Sequence, residues 1–294
     1  MFTIKKKDKG FSVYELHDTD NNSFISVIPE LGGMVSEFRI DGEDVLYFDK
    51  ELYASEFANM EVGGNPFLFP ITGRLTNGSY IANGSEYFME KHGFAHKMPW
   101  QVRDIKEGNE GKIIIELKQN EESLKSYPFK FRVALTYILK GNSLYIYQEY
   151  MNEGEEEMPF YSGFHPFFKV RDKKDLRFDI YAEKYVDCTD GYADYYRSRI
   201  KEYNGAIDFG LPIDYIFPLK KKEINEFSIQ EQGKKLTVEM SEEYEFLVMW
   251  TLKGKDFICV EPWMSAPDAF NTGKGIIKLR PGDSKQAWVK ITKI

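Results

Sequence analysis

Cysteine is nearly absent. Cys188 and Cys259 are the only two in 294 residues, they form no CxxC pair, and they offer no disulfide framework. A chain so poor in thiols fits a reducing compartment. No apolar run approaches the ~18 residues that span a bilayer. The N-terminal stretch around Lys5-Lys6-Lys7 lacks the apolar core of a secretory signal. A cytoplasmic location with no membrane partner is therefore expected. Basic excess is missing too: the formal charge is −8, which argues against a nucleic-acid partner. No helix longer than about two turns is convincing, which argues against βαβ units and a nucleotide-binding sheet. Neither an internal repeat nor a low-complexity linker divides the chain, and one domain over 1–294 is expected.

What the chain has is aromatic bulk. Phenylalanine (23) and tyrosine (19) bring the aromatic fraction to 16% within an apolar fraction of 42%. Flat side chains suit a pleated surface. Segments 2–6, 11–16, 23–29 and 34–40 read as strands separated by Gly/Asn/Asp turns. Residues 100–106 and 112–119 pair plausibly. Positions 123–127 read as a helical turn, and 52–60 as a helical turn or loop. In 129–139 the alternation is clean, with Phe131, Val133, Leu135, Tyr137 and Leu139 on one face, and 144–151 returns against it. Strands at roughly ten-residue spacing predict an all-β, mostly antiparallel sandwich or barrel.

Four stretches carry chemistry. The first, 65–96, begins with a proline-stiffened apolar run, meets Gly73-Arg74, and passes two turn signals, Asn77-Gly78 and Asn83-Gly84, before His92-Gly93. A hairpin here brings Arg74, a fixed fork of donors, close to His92, a proton carrier near neutral pH. The plain alternative is a surface arginine and a turn histidine. In the second, a lone histidine among phenylalanines is more often a satisfied core residue than a catalyst, but Pro166 holds His165 extended and the apolar neighbours exclude water and tune its pKa. The third, Phe257-Ile258-Cys259-Val260-Glu261-Pro262-Trp263, is a buried strand predicted to stop at a carboxylate on a pocket rim, with Trp263 offering a flat face. In the fourth, Asp214 lies between apolar neighbours, where it either caps a turn or accepts ligand hydroxyls.

Arginine and carboxylates grip sugar hydroxyls, aromatic faces stack on sugar C–H surfaces, and a Glu/His pair moves protons. A zinc centre is the rival use of His and Glu, but no His-x-His or His-Glu-x-x-His spacing occurs, and Arg74 would repel a cation. Glycoside hydrolysis through Glu261 and Asp214 would leave the histidines idle. No Gly-x-Ser-x-Gly elbow is present.

Five segments in order resemble the aldose 1-epimerase (mutarotase) family, in particular its bacterial LacX-like branch. They are Phe69-Pro70-Ile71-Thr72-Gly73-Arg74-Leu75, His92-Gly93-Phe94-Ala95, Gly163-Phe164-His165-Pro166-Phe167-Phe168, Leu211-Pro212-Ile213-Asp214 and Val260-Glu261-Pro262-Trp263; the tail from Leu279 to Ser284 matches as well. The resemblance implies a galactose-mutarotase-like β-supersandwich with an open cleft on one sheet. It implies Glu261 as the base at the anomeric hydroxyl and His165 as the acid at the ring oxygen. Arg74, His92 and Asp214 would bind the aldose substrate, with no cofactor and no metal. Three positions depart from the family pattern: Gly73 replaces an asparagine, Val248 stands near a frequent glutamine, and His96 replaces an arginine. Two alternatives accompany these departures, a sugar-binding or sensing module without turnover and a hexose-6-phosphate mutarotase. The latter needs an added basic group, for which Lys91, His96 and Lys97 are the nearby candidates.

Overall fold

The computed structural model describes residues 1–8, 10–49, 63–189, 199–220 and 222–294. Antiparallel sheets dominate. One eight-stranded sheet runs, edge to edge, Arg177–Ile180, Ile224–Glu231, Lys234–Ser241, Ser284–Lys293, Ser143–Asn152, Phe131–Lys140, Gly111–Lys118 and Gln101–Lys106. A second follows the order Arg199–Glu202, Lys184–Asp187, Asp214–Pro218, Phe246–Trp250, Phe257–Trp263, Gly163–Phe164 and Phe67–Leu68. Phe167–Lys169 also pairs with Phe257–Trp263. A five-stranded N-terminal sheet, from Phe2–Asp8 through Glu43–Asp44, and two two-stranded pairs, Met158–Phe160/Ile277–Leu279 and Ser79–Ala82/Ser85–Phe88, complete the described architecture.

Alternation decides what each face does. In Phe131–Lys140 the residues Phe131, Val133, Leu135, Tyr137 and Leu139 are all buried, as their spacing predicts. They share one core with Leu247, Met249, Ile258, Val260, Tyr215 and Phe217 of the second sheet. The odd-numbered set of Phe257–Trp263 therefore points away from that core: Phe257, Cys259, Glu261 and Trp263. Their cross-strand partners continue this face, with Trp250 opposite Cys259, Val248 opposite Glu261, and Asp214 opposite Trp250. The second sheet is thus buried on its core side and carries a mixed polar and aromatic set on the other.

Most predicted elements fall within a residue or two of their observed bounds. The helical turn is Glu121–Ser126, capped by the Asn120 side chain on the Ser123 N–H. The expectation for 52–60 lies outside the described residues. Of the two Asn-Gly signals, Asn83-Gly84 reverses the hairpin Ser79–Ala82/Ser85–Phe88, whereas Asn77-Gly78 closes a 3-10 turn that only redirects the chain into it. Both asparagines adopt left-handed backbone, at φ 51° and 56° respectively. The dipeptide fixes a local conformation, and the strand on either side decides whether it becomes a hairpin. No helix among the described residues is long and apolar enough to cross a membrane.

Candidate active site

Glu261 does not end its strand. Phe257–Trp263 continues through Pro262, and Glu261 is 1% exposed, so the expectation of a rim carboxylate at a strand terminus is corrected. The reason lies in the neighbouring strand. Phe167 pairs with Cys259 and Gly163 pairs with Trp263, and between them the ladder is interrupted. A residue without an N–H is tolerated at such a gap. His165 occupies it, with its backbone N–H donated to the Pro66 carbonyl at 2.9 Å.

The imidazole Nε2 of His165 lies 3.2 Å from Oε1 of Glu261. The other carboxylate oxygen, Oε2, accepts the indole N–H of Trp263 at 3.0 Å. Trp263 is fully buried and serves this contact; it is not the exposed stacking face expected from sequence. Phe167 stacks on the His165 ring at 4.8 Å, and Trp250 meets it edge-on at 5.8 Å. Trp250 is half-buried and is a site residue that the sequence reading does not single out. Its signal was available in the alternation Phe246, Val248, Trp250, once the strand is paired with Glu261.

His92 is brought to the same place from the hairpin. It is buried, and its ring lies 5.7 Å from that of His165 and 5.5 Å from that of Trp263. Its backbone N–H donates to the Gly73 carbonyl at 2.8 Å, and the Gly73 N–H donates to Nδ1 of the ring at 3.1 Å. The second bond makes Nδ1 an acceptor and leaves the proton on Nε2, a donor for a ligand. His92 and Gly93 are both left-handed, φ 67° and 68°. At Gly93 a Cβ would stand 2.3 Å from the Phe69 carbonyl oxygen, so only glycine fits.

Arg74 is exposed, and its charge is within electrostatic reach of His92. Asp214, half-buried, opens the strand Asp214–Pro218 and acts electrostatically on Glu261. Glu261, His165, His92 and Asp214 thus gather about one face of the second sheet, with Arg74 in electrostatic reach of His92. A sixth group joins them. The Lys91 ammonium acts on Glu261, His165 and His92 together. Sequence alone offered it only as a basic neighbour of the cleft.

Burial governs the protonation of this cluster. It pushes the Glu261 carboxyl well above its usual range, against which Lys91 and the Trp263 N–H act in the opposite sense. It pushes His165 down to about 3, and Lys91 adds to that shift. His92 is likewise lowered by burial and then by Lys91. Both shifts favour the uncharged form of each partner, a protonated carboxyl beside an unprotonated imidazole. Cys259 lies on the same face and is fully buried, and its Sγ, a ring nitrogen of His165 and a Glu261 oxygen all lie within 4.8 Å of one another.

The family model described as Aldose 1-epimerase matches residues 14–292. The plasmid-borne protein LacX of Lactococcus lactis subsp. lactis is 26% identical over 76% of this chain and 80% of its own. Slr1438 from Synechocystis sp. PCC 6803 is 33% identical with a TM-score of 0.88, covering 96% of this chain and 95% of that one. A galactose mutarotase-like protein from Clostridium acetobutylicum shares the fold at a TM-score of 0.83 and 21% identity, covering 100% and 98%. With an all-β, galactose-mutarotase-like fold and a family match along nearly its whole length, the chain belongs to the aldose 1-epimerase family.

Proposed function

We propose that the protein interconverts the α and β anomers of a free hexose. The observation that carries this reading is the buried contact between His165 Nε2 and Glu261 Oε1 at 3.2 Å. Anomer exchange requires a proton to leave the C1 hydroxyl while another reaches the ring oxygen. A carboxylate–imidazole pair holding a single proton can do both without net gain or loss. The reactive form has that proton on His165 and Glu261 ionised: Glu261 takes the anomeric proton, and His165 delivers its own to the ring oxygen as the C1–O5 bond opens. Rotation about C1–C2 presents the other face of the aldehyde, and the same two transfers run backwards to close the ring. His92, with its proton on Nε2, donates to the substrate. Arg74 and Asp214 bind hydroxyls at the periphery, and Trp250 presents an aromatic face.

The test is polarimetry on freshly dissolved α-hexoses. Mutarotation should accelerate in proportion to protein concentration. His165→Ala and Glu261→Gln should each lower kcat by ~10²–10⁴-fold, the usual contribution of a general acid or base. Unchanged rates in both variants would remove these roles. A second reading, turnover of a phosphorylated hexose, is favoured by the half-buried Lys91 beside the pair. Assaying glucose against glucose 6-phosphate decides between them. Calorimetric hexose binding with no acceleration of mutarotation would instead assign a sensing module, for which Val248 and Gly73 supply the motive.

A further inference from the structure

We propose that Cys259, Glu261 and His165 form a binding site for a thiophilic divalent cation, zinc foremost, whose occupation displaces the sugar chemistry. The spacing rules that exclude zinc in the linear sequence fail here because the ligands come from two neighbouring strands. Cys259 and Glu261 are two residues apart on one strand and face the same side. Phe167 pairs with Cys259, which sets His165 into the ladder gap beside both. All three side chains are buried, and their ligand atoms lie within 4.8 Å of one another.

The geometry suits a tetrahedral ion. With Zn–N and Zn–O bonds of ~2.0–2.1 Å, the 3.2 Å between His165 Nε2 and Glu261 Oε1 subtends an angle of about 100° at the metal. A Zn–S bond of ~2.3 Å at tetrahedral angles asks for a sulfur about 3.6 Å from each of the other ligands. The observed arrangement, with all three ligand atoms within 4.8 Å of one another, lies within about an ångström of this requirement. Three protein ligands leave a fourth position for water.

Charge favours the complex. A thiolate, a carboxylate, a neutral imidazole and a doubly charged cation sum to zero, so the set can be buried without an uncompensated charge. A soft sulfur ligand selects zinc, cobalt or cadmium over magnesium and calcium. Binding through a thiolate displaces the thiol proton, so uptake tightens as pH rises. Lys91 opposes any cation here and limits the affinity. Once bound to metal, the Glu261 and His165 lone pairs no longer carry protons. This inhibition rests on the acid–base roles proposed above, whereas the binding does not.

The experiment uses cobalt as a spectroscopic stand-in. Chelator-treated full-length protein is titrated with Co²⁺ without oxygen, and the near-ultraviolet thiolate-to-cobalt band is followed. One equivalent should saturate the band, and Zn²⁺ should abolish it. Cys259→Ser should lack it, while Cys188→Ser, altering the other buried cysteine, should retain it. Cys259→Ala, which keeps the site apolar, repeats the test if the serine variant folds poorly. In parallel, half-inhibition of mutarotation by Zn²⁺ should require at least about tenfold more metal in the Cys259 variants, each read against its own metal-free rate. Absence of the band in the wild-type protein, its survival in Cys259→Ser, or its loss in Cys188→Ser would overturn the site. A Cys259-dependent band in a protein that never accelerates mutarotation would uphold the metal site and sink the proposed activity.

Discussion

Trp263 donates its indole N–H to one oxygen of Glu261 while His165 contacts the other, so a single buried carboxylate is gripped at both ends. Replacing Trp263 with phenylalanine keeps most of the packing and removes the donor. A hydrogen bond to a charged group contributes about 1.5–3 kcal/mol, so Trp263→Phe should lower kcat/KM by roughly 10–100-fold. The acid limb of its pH profile should also move to higher pH, because the ionised carboxylate loses a partner. A rate loss with an unmoved limb would mean that the indole acts through packing alone.

Lys91 offers a cleaner electrostatic test. Its charge favours ionised Glu261 and disfavours protonated His165. Lys91→Met should therefore raise both, shifting the acid and alkaline limbs of kcat/KM in the same upward direction. The profile is bell-shaped in either protein, because the pair works only while it holds one proton. Limbs that move apart, or do not move, would contradict this placement of the ammonium.

At Gly93 the test is steric. Gly93→Ala forces a Cβ to within 2.3 Å of the Phe69 carbonyl oxygen on a left-handed backbone. Something must shift, at a cost of about 2–3 kcal/mol in stability. The turn that presents His92 should shift with it, lowering activity in a variant that still folds. A urea titration and a mutarotation assay on the same preparation separate the two effects.

His96 makes an acid-stability prediction. Both its ring nitrogens are shielded from solvent and have no hydrogen-bond partner among the described residues, and burial lowers it to about 4. Between about pH 6.5, the usual histidine value, and about pH 4, the unfolded chain binds a proton that the folded chain refuses. Stability contributed by the neutral ring is thus lost progressively as pH falls through that window. His96→Phe should flatten the decline between urea midpoints measured at pH 7 and pH 5. It should also be neutral or stabilising at pH 7, since two unpaired nitrogens disappear. An unchanged slope would place the acid sensitivity elsewhere.

The strand pattern of this fold was legible because one side of each sheet is deeply buried and alternation survives in the sequence. Phe131 to Leu139 is the plainest case. Glu261 was legible as a functional residue but misplaced, since proline and a carboxylate together look like a strand end. Only the partner strand reveals that Pro262 faces an interruption. His165 beside Glu261, and Cys259 beside both, are products of register between segments some 90 residues apart. Lys91 was legible only as a basic neighbour of the cleft, because its action on the buried carboxylate depends on how the chain beyond the hairpin Ser79–Ala82/Ser85–Phe88 returns to the sheet.

The ladder interruption has a kinetic consequence. The proposed catalytic contact closes only when Gly163–Phe164 and Phe167–Lys169 have both docked on Phe257–Trp263, near opposite ends of the gap. Pairings this distant in the chain come late and slowly in folding. Recovery of mutarotation after dilution from denaturant should therefore lag behind the return of β-sheet circular dichroism, making enzymatic turnover a timer for completion of this sheet.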